Sequence, residues 1–325
     1  MSCRVCGSAT TRTAGRIEYF RGHAYDVLDC DDCGCRTTAH DPAAHEALHR
    51  TGALDYYAGY REMGEAARAL FGAGNREGLR NLLAPNAKYR FAMDAIDRLP
   101  PGMSVLEVGC SRGYLTAYAA LAGHPATGVD ASAEALATAR AAFGDTFLPA
   151  GSPAIRERGP YDLILHVGLI GCVADPIGLT RELLGLLGRG GRLAFNAPNL
   201  DALEDDQQLW LDSAPPPDLV TLFPEGFWVK RFGNAAQVHE VVERRDARAS
   251  FEKALQSMLG SGWSPPVPRD FEAPAAPARR APLPRPLRAL SRVADATGIA
   301  RLARPRPTDF GLFVTMRPRS ARLPR

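Results

Sequence analysis

Residues Val105 to Gly113 read V-L-E-V-G-C-S-R-G, an acid among apolar residues followed by a glycine-punctuated turn. The small-residue run Y-L-T-A-Y-A-A-L-A comes next. Glycines let the backbone turn sharply and pass close to a ligand. The helix start behind them presents unpaired N–H groups to a carboxylate or phosphate. A second apolar run, A-T-G-V-D, ends in Asp130, and an acid at such a strand end suits a ribose diol. The chemistry implied is the capture of a nucleoside cofactor. This spacing alone is shared with nicotinamide enzymes and does not choose between cofactors.

A second group of residues points to a metal. Cys3-R-V-Cys6-G and Cys30-D-D-Cys33-G are two C-x-x-C knuckles, each followed by glycine. Four thiolates from two such pairs make a closed, structural zinc site. The runs R-I-E-Y-F and Y-D-V-L-D-C between them read as the short strands of a ribbon. A chance pairing or a redox dithiol is the competing reading. Cys35 is read as a bystander able to exchange as a ligand. So short a segment buries little apolar area, so the metal would supply most of its folding energy.

Two histidines are candidate proton acceptors. His166 ends the strand-like run Y-D-L-I-L-H, and a neutral imidazole there could take a proton from a hydroxyl or an acidic carbon. A supporting residue, or one packing against the cofactor, is the competing reading. His239, in Q-V-H-E-V-V, is the second candidate, with a solvated helix face as the alternative. Asn196 and Asn199 follow in the next strand-like run, where they could bond substrate or form the turn.

The elements that must position these residues divide the chain at 1–41, 42–99 and 100–325. The first is ribbon-like and the second helical in pattern. The third alternates strands (M-S-V-L-E-V, A-T-G-V-D, D-T-F-L-P, Y-D-L-I-L-H, R-L-A-F-N-A) with helices, the signature of a parallel sheet. Beyond Asn199 the regularity weakens. Trp210, the prolines 215–217 and F-P-E-G-F-W read as a loop-rich lid. A helix is expected from Phe251, a Pro/Ala/Arg-rich excursion over 264–286, and a closing strand in D-F-G-L-F-V-T-M-R.

Taken together, Leu99 to Asn199 resembles the class I S-adenosylmethionine (SAM)-dependent methyltransferases. Their E/D-x-G-x-G-x-G motif stands here as Glu107 to Gly113, with Ser111 in place of the central glycine. The D-P turn at Asp175-Pro176 and L-L-G-R-G-G-R-L match later motifs, with Arg189 replacing a proline. The resemblance implies a Rossmann-like α/β fold, a mixed seven-stranded sheet with helices on both faces, its final strand antiparallel beside the fifth. The zinc ribbon would be appended at the N-terminus. It implies SAM as cofactor, with Glu107 and Gly109 near the methionine half and Asp130 on the ribose. Cys110, Ser111, Gly113, Ala131, His166 and Tyr57 complete the expected contacts. Tyr56, Tyr57 and Tyr60 could face the sulfonium by cation–π attraction or pack helices together, and Arg90 could reach the cofactor carboxylate or simply pack. Many members carry E-H before the D-P turn; here the residues are Gly171-Cys172, which removes the usual base.

The reading is therefore a methyltransferase acting on a small molecule, a natural-product or sugar intermediate. The order of zinc element and methyltransferase is similar to that of deoxysugar C-methyltransferases. The alternatives are an RNA base methyltransferase using ribbon and basic tail, and a non-catalytic SAM-binding scaffold. A net charge of +3 is too small to imply an anionic partner, and the ribbon's arginines are matched by its acids, unlike a phosphate-binding module. No apolar run is long enough to cross a bilayer, and no signal-peptide core is read. Cytoplasmic location, reduced cysteines and no nucleic-acid partner are expected.

Overall fold

The computed structural model describes residues 2–20, 23–39, 58–203, 208–211, 214, 216–258, 285–302 and 307–319. In chain order the elements are β1 (Thr11–Phe20), β2 (His23–Cys30), β3 (Arg36–Ala39), α1 (Ala58–Gly72), α2 (Arg76–Leu83), α3 (Ala87–Asp97), β4 (Val105–Val108), α4 (Tyr114–Leu121), β5 (Ala126–Asp130), α5 (Ala133–Phe143), β6 (Phe147–Pro149), α6 (Ala154–Glu157) and β7 (Tyr161–His166). Then follow α7 (Pro176–Gly185), β8 (Leu187–Ala197), β9 (Thr221–Leu222), α8 (Phe227–Phe232), β10 (Ala236–Arg244), α9 (Ala247–Met258), α10 (Arg285–Ala296) and β11 (Pro307–Pro318).

Seven strands form the main sheet in the order β10-β11-β8-β7-β4-β5-β6. β6, β5, β4, β7 and β8 run parallel. β11 runs antiparallel to both β8 and β10. This is the expected mixed sheet, with the last strand inserted beside the fifth strand of the core. The chain leaves β4 for β5 on one side and reaches β7 on the other, so a crevice opens at their carboxyl ends, where open α/β sheets bind ligands. Helix caps support the connections. The Ser132 hydroxyl accepts the Ala135 N–H at 3.2 Å. The D-P turn works similarly: Asp175 accepts the Gly178 N–H at 2.7 Å while Pro176 opens α7, a position that needs no N–H.

Apolar side chains cover both sheet faces. Leu79, Met93, Leu115, Tyr118 and Leu136 pack on one. On the other lie Ile177, Leu183, Trp228 and Phe232, joined by Cys3, Val5, Cys30 and Cys35 from the N-terminal segment.

The C-terminal region departs from the sequence reading in three ways. Q-V-H-E-V-V belongs to the edge strand β10, where Val238 and Glu240 are half-buried and Gln237 and His239 exposed. The helix expected from Phe251 begins earlier, at Ala247, and lies between the last two strands of the sheet. F-P-E-G-F-W is not lid loop either: Phe227 and Trp228 open a helix, and Trp228 is fully buried.

The N-terminal strands β1, β2 and β3 form a second, antiparallel sheet, completed by β9 from the region after β8. The two knuckles are built alike. Gly7 N–H donates to Cys3 O at 2.8 Å and Gly34 N–H to Cys30 O at 2.9 Å. Both glycines have φ near +75°, at 78° and 74°, a conformation that favours glycine.

Candidate functional site

Glu107 is an acid on a strand whose neighbours face the core. Val105 joins the cluster beside α4 and Leu106 the opposite one, so strand alternation returns Glu107 to the α4 side. It is 3% exposed. Its Oε2 accepts the Thr116 N–H at 2.7 Å and also the Thr116 hydroxyl. Burial pushes its pKa up to about 8, against the pull of the two Thr116 bonds, with Asp130 adding to the rise. Glu107 thus satisfies a donor in the first turn of α4 and stands behind the glycine turn.

The turn is pinned to β5. Gly109 and Cys110 both donate to Val129 O, at 2.7 and 3.0 Å, and Gly113 N–H donates to Cys110 O at 2.8 Å. Gly109 and Gly113 have φ of 72° and 80°, and a Cβ on Gly113 would come 2.5 Å from the Phe147 ring. Ser111 stands at φ 46°, alone in the left-handed region among the described residues other than glycine. Its N–H donates to Asp130 Oδ2 at 2.8 Å, while Ser132 N–H donates to Asp130 Oδ1 at 2.9 Å. Asp130 therefore joins the turn to the start of α5, with Ala131 exposed beside it. The Cys110 side chain is buried and faces the core, and burial pushes its thiol up. That position offers a ligand backbone rather than sulfur.

The loop after β7 closes the same mouth. A Cβ on Gly109 would lie 3.2 Å from Leu169, and one on Gly168 would lie 3.4 Å from Lys88 Nζ. Asn196 supports this loop, its Oδ1 accepting Gly168 N–H at 2.8 Å and its Nδ2 donating to Phe310 O at 3.3 Å. Asn199 Oδ1 accepts the Asp201 N–H, which makes it a turn residue. Gly171 O accepts from Val220 and Thr221, at 2.9 and 3.1 Å, so the segment entering β9 is tied to the loop. Cys172 stands there with its thiol pushed up by burial and by Asp218, with Lys88 opposing.

Neither histidine is placed as a base. His166 is fully buried and stacked on Phe195, with ring centroids 4.7 Å apart. Neither ring nitrogen has a hydrogen-bond partner among the described residues, and burial holds its pKa down at about 3. Strand parity explains the placement. His166 shares the side of Ile164, facing the Trp228 cluster. His239 is exposed on β10, opposite Thr315. Four strand spacings separate β10 from β4, about 19 Å. Arg90 also serves packing: it donates to Ala84 O and Pro85 O and lies 3.7 Å from Glu243. Tyr56 and Tyr57 lie outside the described residues, as does the Tyr60 side chain.

The four sulfurs of Cys3, Cys6, Cys30 and Cys33 lie within 4.8 Å of one another. Cys3–Cys33 is 3.7 Å and Cys6–Cys30 is 3.5 Å. Sulfurs around tetrahedral zinc, with Zn–S of about 2.3 Å, stand roughly 3.8 Å apart, whereas a disulfide needs about 2.05 Å. The donor set fits zinc. The ribbon also grips the segment before β9. Arg36 forms a forked pair with Asp29, at 2.6 and 3.0 Å, and donates to Gln208 O and Leu209 O, both at 3.2 Å. A Cβ on Gly15 would lie 2.6 Å from Leu209. Sequence reading missed Lys88, Thr116 and this grip. Only Lys88 left a local trace, as a cation in the first turn of a helix.

The chain is similar to known proteins over part of its length. A family described as "Methyltransferase domain" matches residues 80–235. The ubiquinone biosynthesis O-methyltransferase of Caulobacter sp. (strain K31) is 33% identical over 119 residues, covering 34% of this chain and 47% of that protein. Its counterpart in Caulobacter vibrioides is 34% identical over 113 residues, 32% of this chain and 45% of the relative. The chain thus spans about half the length of the curated relatives it matches. Among solved structures, the plantazolicin methyltransferase BpumL with a monoazolic analogue and SAH aligns at 15% identity, over 85% of this chain and 96% of that one, with a TM-score of 0.41.

Proposed function

We propose, starting from a chain whose core is a class I SAM-dependent methyltransferase domain, that it methylates a small molecule at the carboxyl ends of β4, β5, β7 and β8. The observation that carries the reading is the junction of Gly109–Gly113 with Asp130. It places a carboxylate and a left-handed turn at the start of α4, as a cofactor with a ribose and an amino-acid end requires. Asp130 would take the ribose hydroxyls, and the turn and Glu107 the methionine end. When bound, SAM supplies an electrophilic methyl group on a sulfonium.

The chain's own contribution is alignment. His166 is buried and its pKa held low, and the Cys172 thiol is held neutral, so neither accepts the acceptor's proton near neutral pH. This favours an acceptor that ionises easily or needs no base, with rate coming from proximity. The curated relatives are named O-methyltransferases of ubiquinone biosynthesis, which supports a hydroxyl on a small molecule. A natural-product or sugar intermediate is the finer reading.

In this proposal zinc on Cys3, Cys6, Cys30 and Cys33 is structural, holding the ribbon against the segment that enters β9. RNA is a weaker candidate, because the ribbon's arginines answer its own acids: Arg12 with Asp29 and Asp31, Arg16 with Asp26, Arg36 with Asp29. The test is transfer of labelled methyl from SAM to a panel of hydroxylated small molecules and to total RNA. Label in small molecules supports the proposal; label in RNA alone, or SAM turnover with neither, contradicts it.

A further inference from the structure

Lys88 is an unusual cation. It lies in the first turn of α3, where Asn86 Oδ1 accepts its backbone N–H at 2.9 Å. A positive side chain is disfavoured at that end of a helix. No carboxylate of a described residue pairs with it. Its ammonium instead sits 4.5 Å from the centre of the Phe310 ring. Only three of the 39 basic residues are lysine, so this one does not follow the chain's habit of using arginine for surface charge.

Its surroundings locate it at the mouth. Gly168, at φ 73°, leaves its Cβ position open 3.4 Å from Lys88 Nζ. The next residue, Leu169, lies 3.2 Å from where a Cβ on Gly109 of the glycine turn would stand. One loop thus has the cofactor turn on one side and the lysine on the other. Phe310, whose ring the ammonium faces, packs with Cys172 and Leu200 against the buried cluster of Trp210 and Leu219, an apolar wall on that side of the lysine. The nearby acid, Asp218, is mostly buried and has interactions of its own.

We propose that Lys88 is the specificity residue of the acceptor site, and that the acceptor is a small molecule with an apolar body and one oxyanion group, carboxylate or phosphate. This rests on the strand ends being the methyl-transfer site. The apolar wall would take the body. The ammonium of Lys88, a half-buried residue without a carboxylate partner among the described residues, would take the anion by a charge-assisted hydrogen bond.

The test uses the full chain saturated with S-adenosylhomocysteine, and benzoate and phenyl phosphate as probes, with benzamide and benzyl alcohol as neutral matches. Binding is followed by ligand-detected NMR in wild type, Lys88→Arg and Lys88→Met. Preference for one or both anions over the neutral probes is expected, weakened about tenfold or more in Lys88→Met and largely kept in Lys88→Arg. Whichever anion binds distinguishes carboxylate from phosphate. S-adenosylhomocysteine affinity should be equal in all three, which also reports folding. If it binds but the anions bind Lys88→Met as well as wild type, or show no preference over benzamide, this proposal is overturned alone. If it does not bind wild type, the methyltransferase reading itself fails.

Discussion

The backbone N–H of Ser111 and the carboxylate of Asp130 are joined by a 2.8 Å hydrogen bond. The bond spans two loops of the sheet. It holds the one described non-glycine residue in left-handed conformation against the acid that ends β5. The serine that stands where the motif it resembles has a glycine is thus accommodated by a bond that also fixes the carboxylate.

The first expectation concerns that backbone. A left-handed conformation costs an L-residue roughly 1–2 kcal/mol, and more for a β-branched one. Ser111→Gly should leave stability unchanged or slightly raised, with SAM affinity kept. Ser111→Val should lower both. Denaturant titration and calorimetry check this, and equal effects of the two substitutions would mean the turn is not held as described.

Glu107 sets a pH dependence. Its pKa in the fold, about 8, lies above the ordinary 4.5, so the fold favours the protonated form. Its contribution is complete below about pH 4.5 and is lost as pH rises toward 8, by at most a few kcal/mol. A bound cation beside it favours the ionised form, so SAM affinity should rise over the same window. Tm and SAM affinity measured at about pH 6 and about pH 8, in wild type and Glu107→Gln, test both slopes. Glu107→Gln should flatten them; unchanged slopes would assign them to another group.

The ribbon should fail separately from the cofactor site. Elemental analysis should find about one zinc per chain. Cys3→Ser should lose the metal and, through Arg36 and Leu209, the fixed environment of Trp210, whose indole donates to Ala214 O at 3.1 Å. SAM affinity should stay near normal, since Asp130 is held by the N–H groups of Ser111 and Ser132 rather than by the ribbon. A zinc-free chain with unchanged Tm and tryptophan near-UV signal would contradict the assignment.

His166 is expected to be silent in turnover. Burying an imidazole without partners is a cost, so His166→Leu should keep or raise Tm and leave the rate with an accepted substrate close to wild type. A fall of roughly 10²–10⁴-fold with intact SAM affinity would restore it as a base.

What could be read in the sequence was what depends on neighbours in the chain. Glu107, the glycine turn, Asp130 and the D-P cap are local devices, and the alternation of strands and helices fixes the sheet around them. What escaped reading depends on residues far apart. β9 is two residues long, Thr221–Leu222, and is a strand only because Arg36 and Thr37 pair with it. β10 mixes charges with valines because it is an edge strand with one face in solvent, so His239 resembled a helix face. The position of His166 at a strand end was legible. The face it points to was not, because Phe195 and Trp228 arrive from later elements. Lys88 gained meaning only once Gly168 and Phe310 were placed around it.

The most direct test of the whole account is calorimetric titration of the full chain with SAM and, separately, with NAD, in wild type and Asp130→Ala. The account requires one SAM per chain and no NAD binding. Asp130→Ala should weaken SAM by about 1.5–3 kcal/mol, the loss of a hydrogen bond to a charged acceptor. NAD binding without SAM binding, or SAM binding indifferent to Asp130, would contradict it.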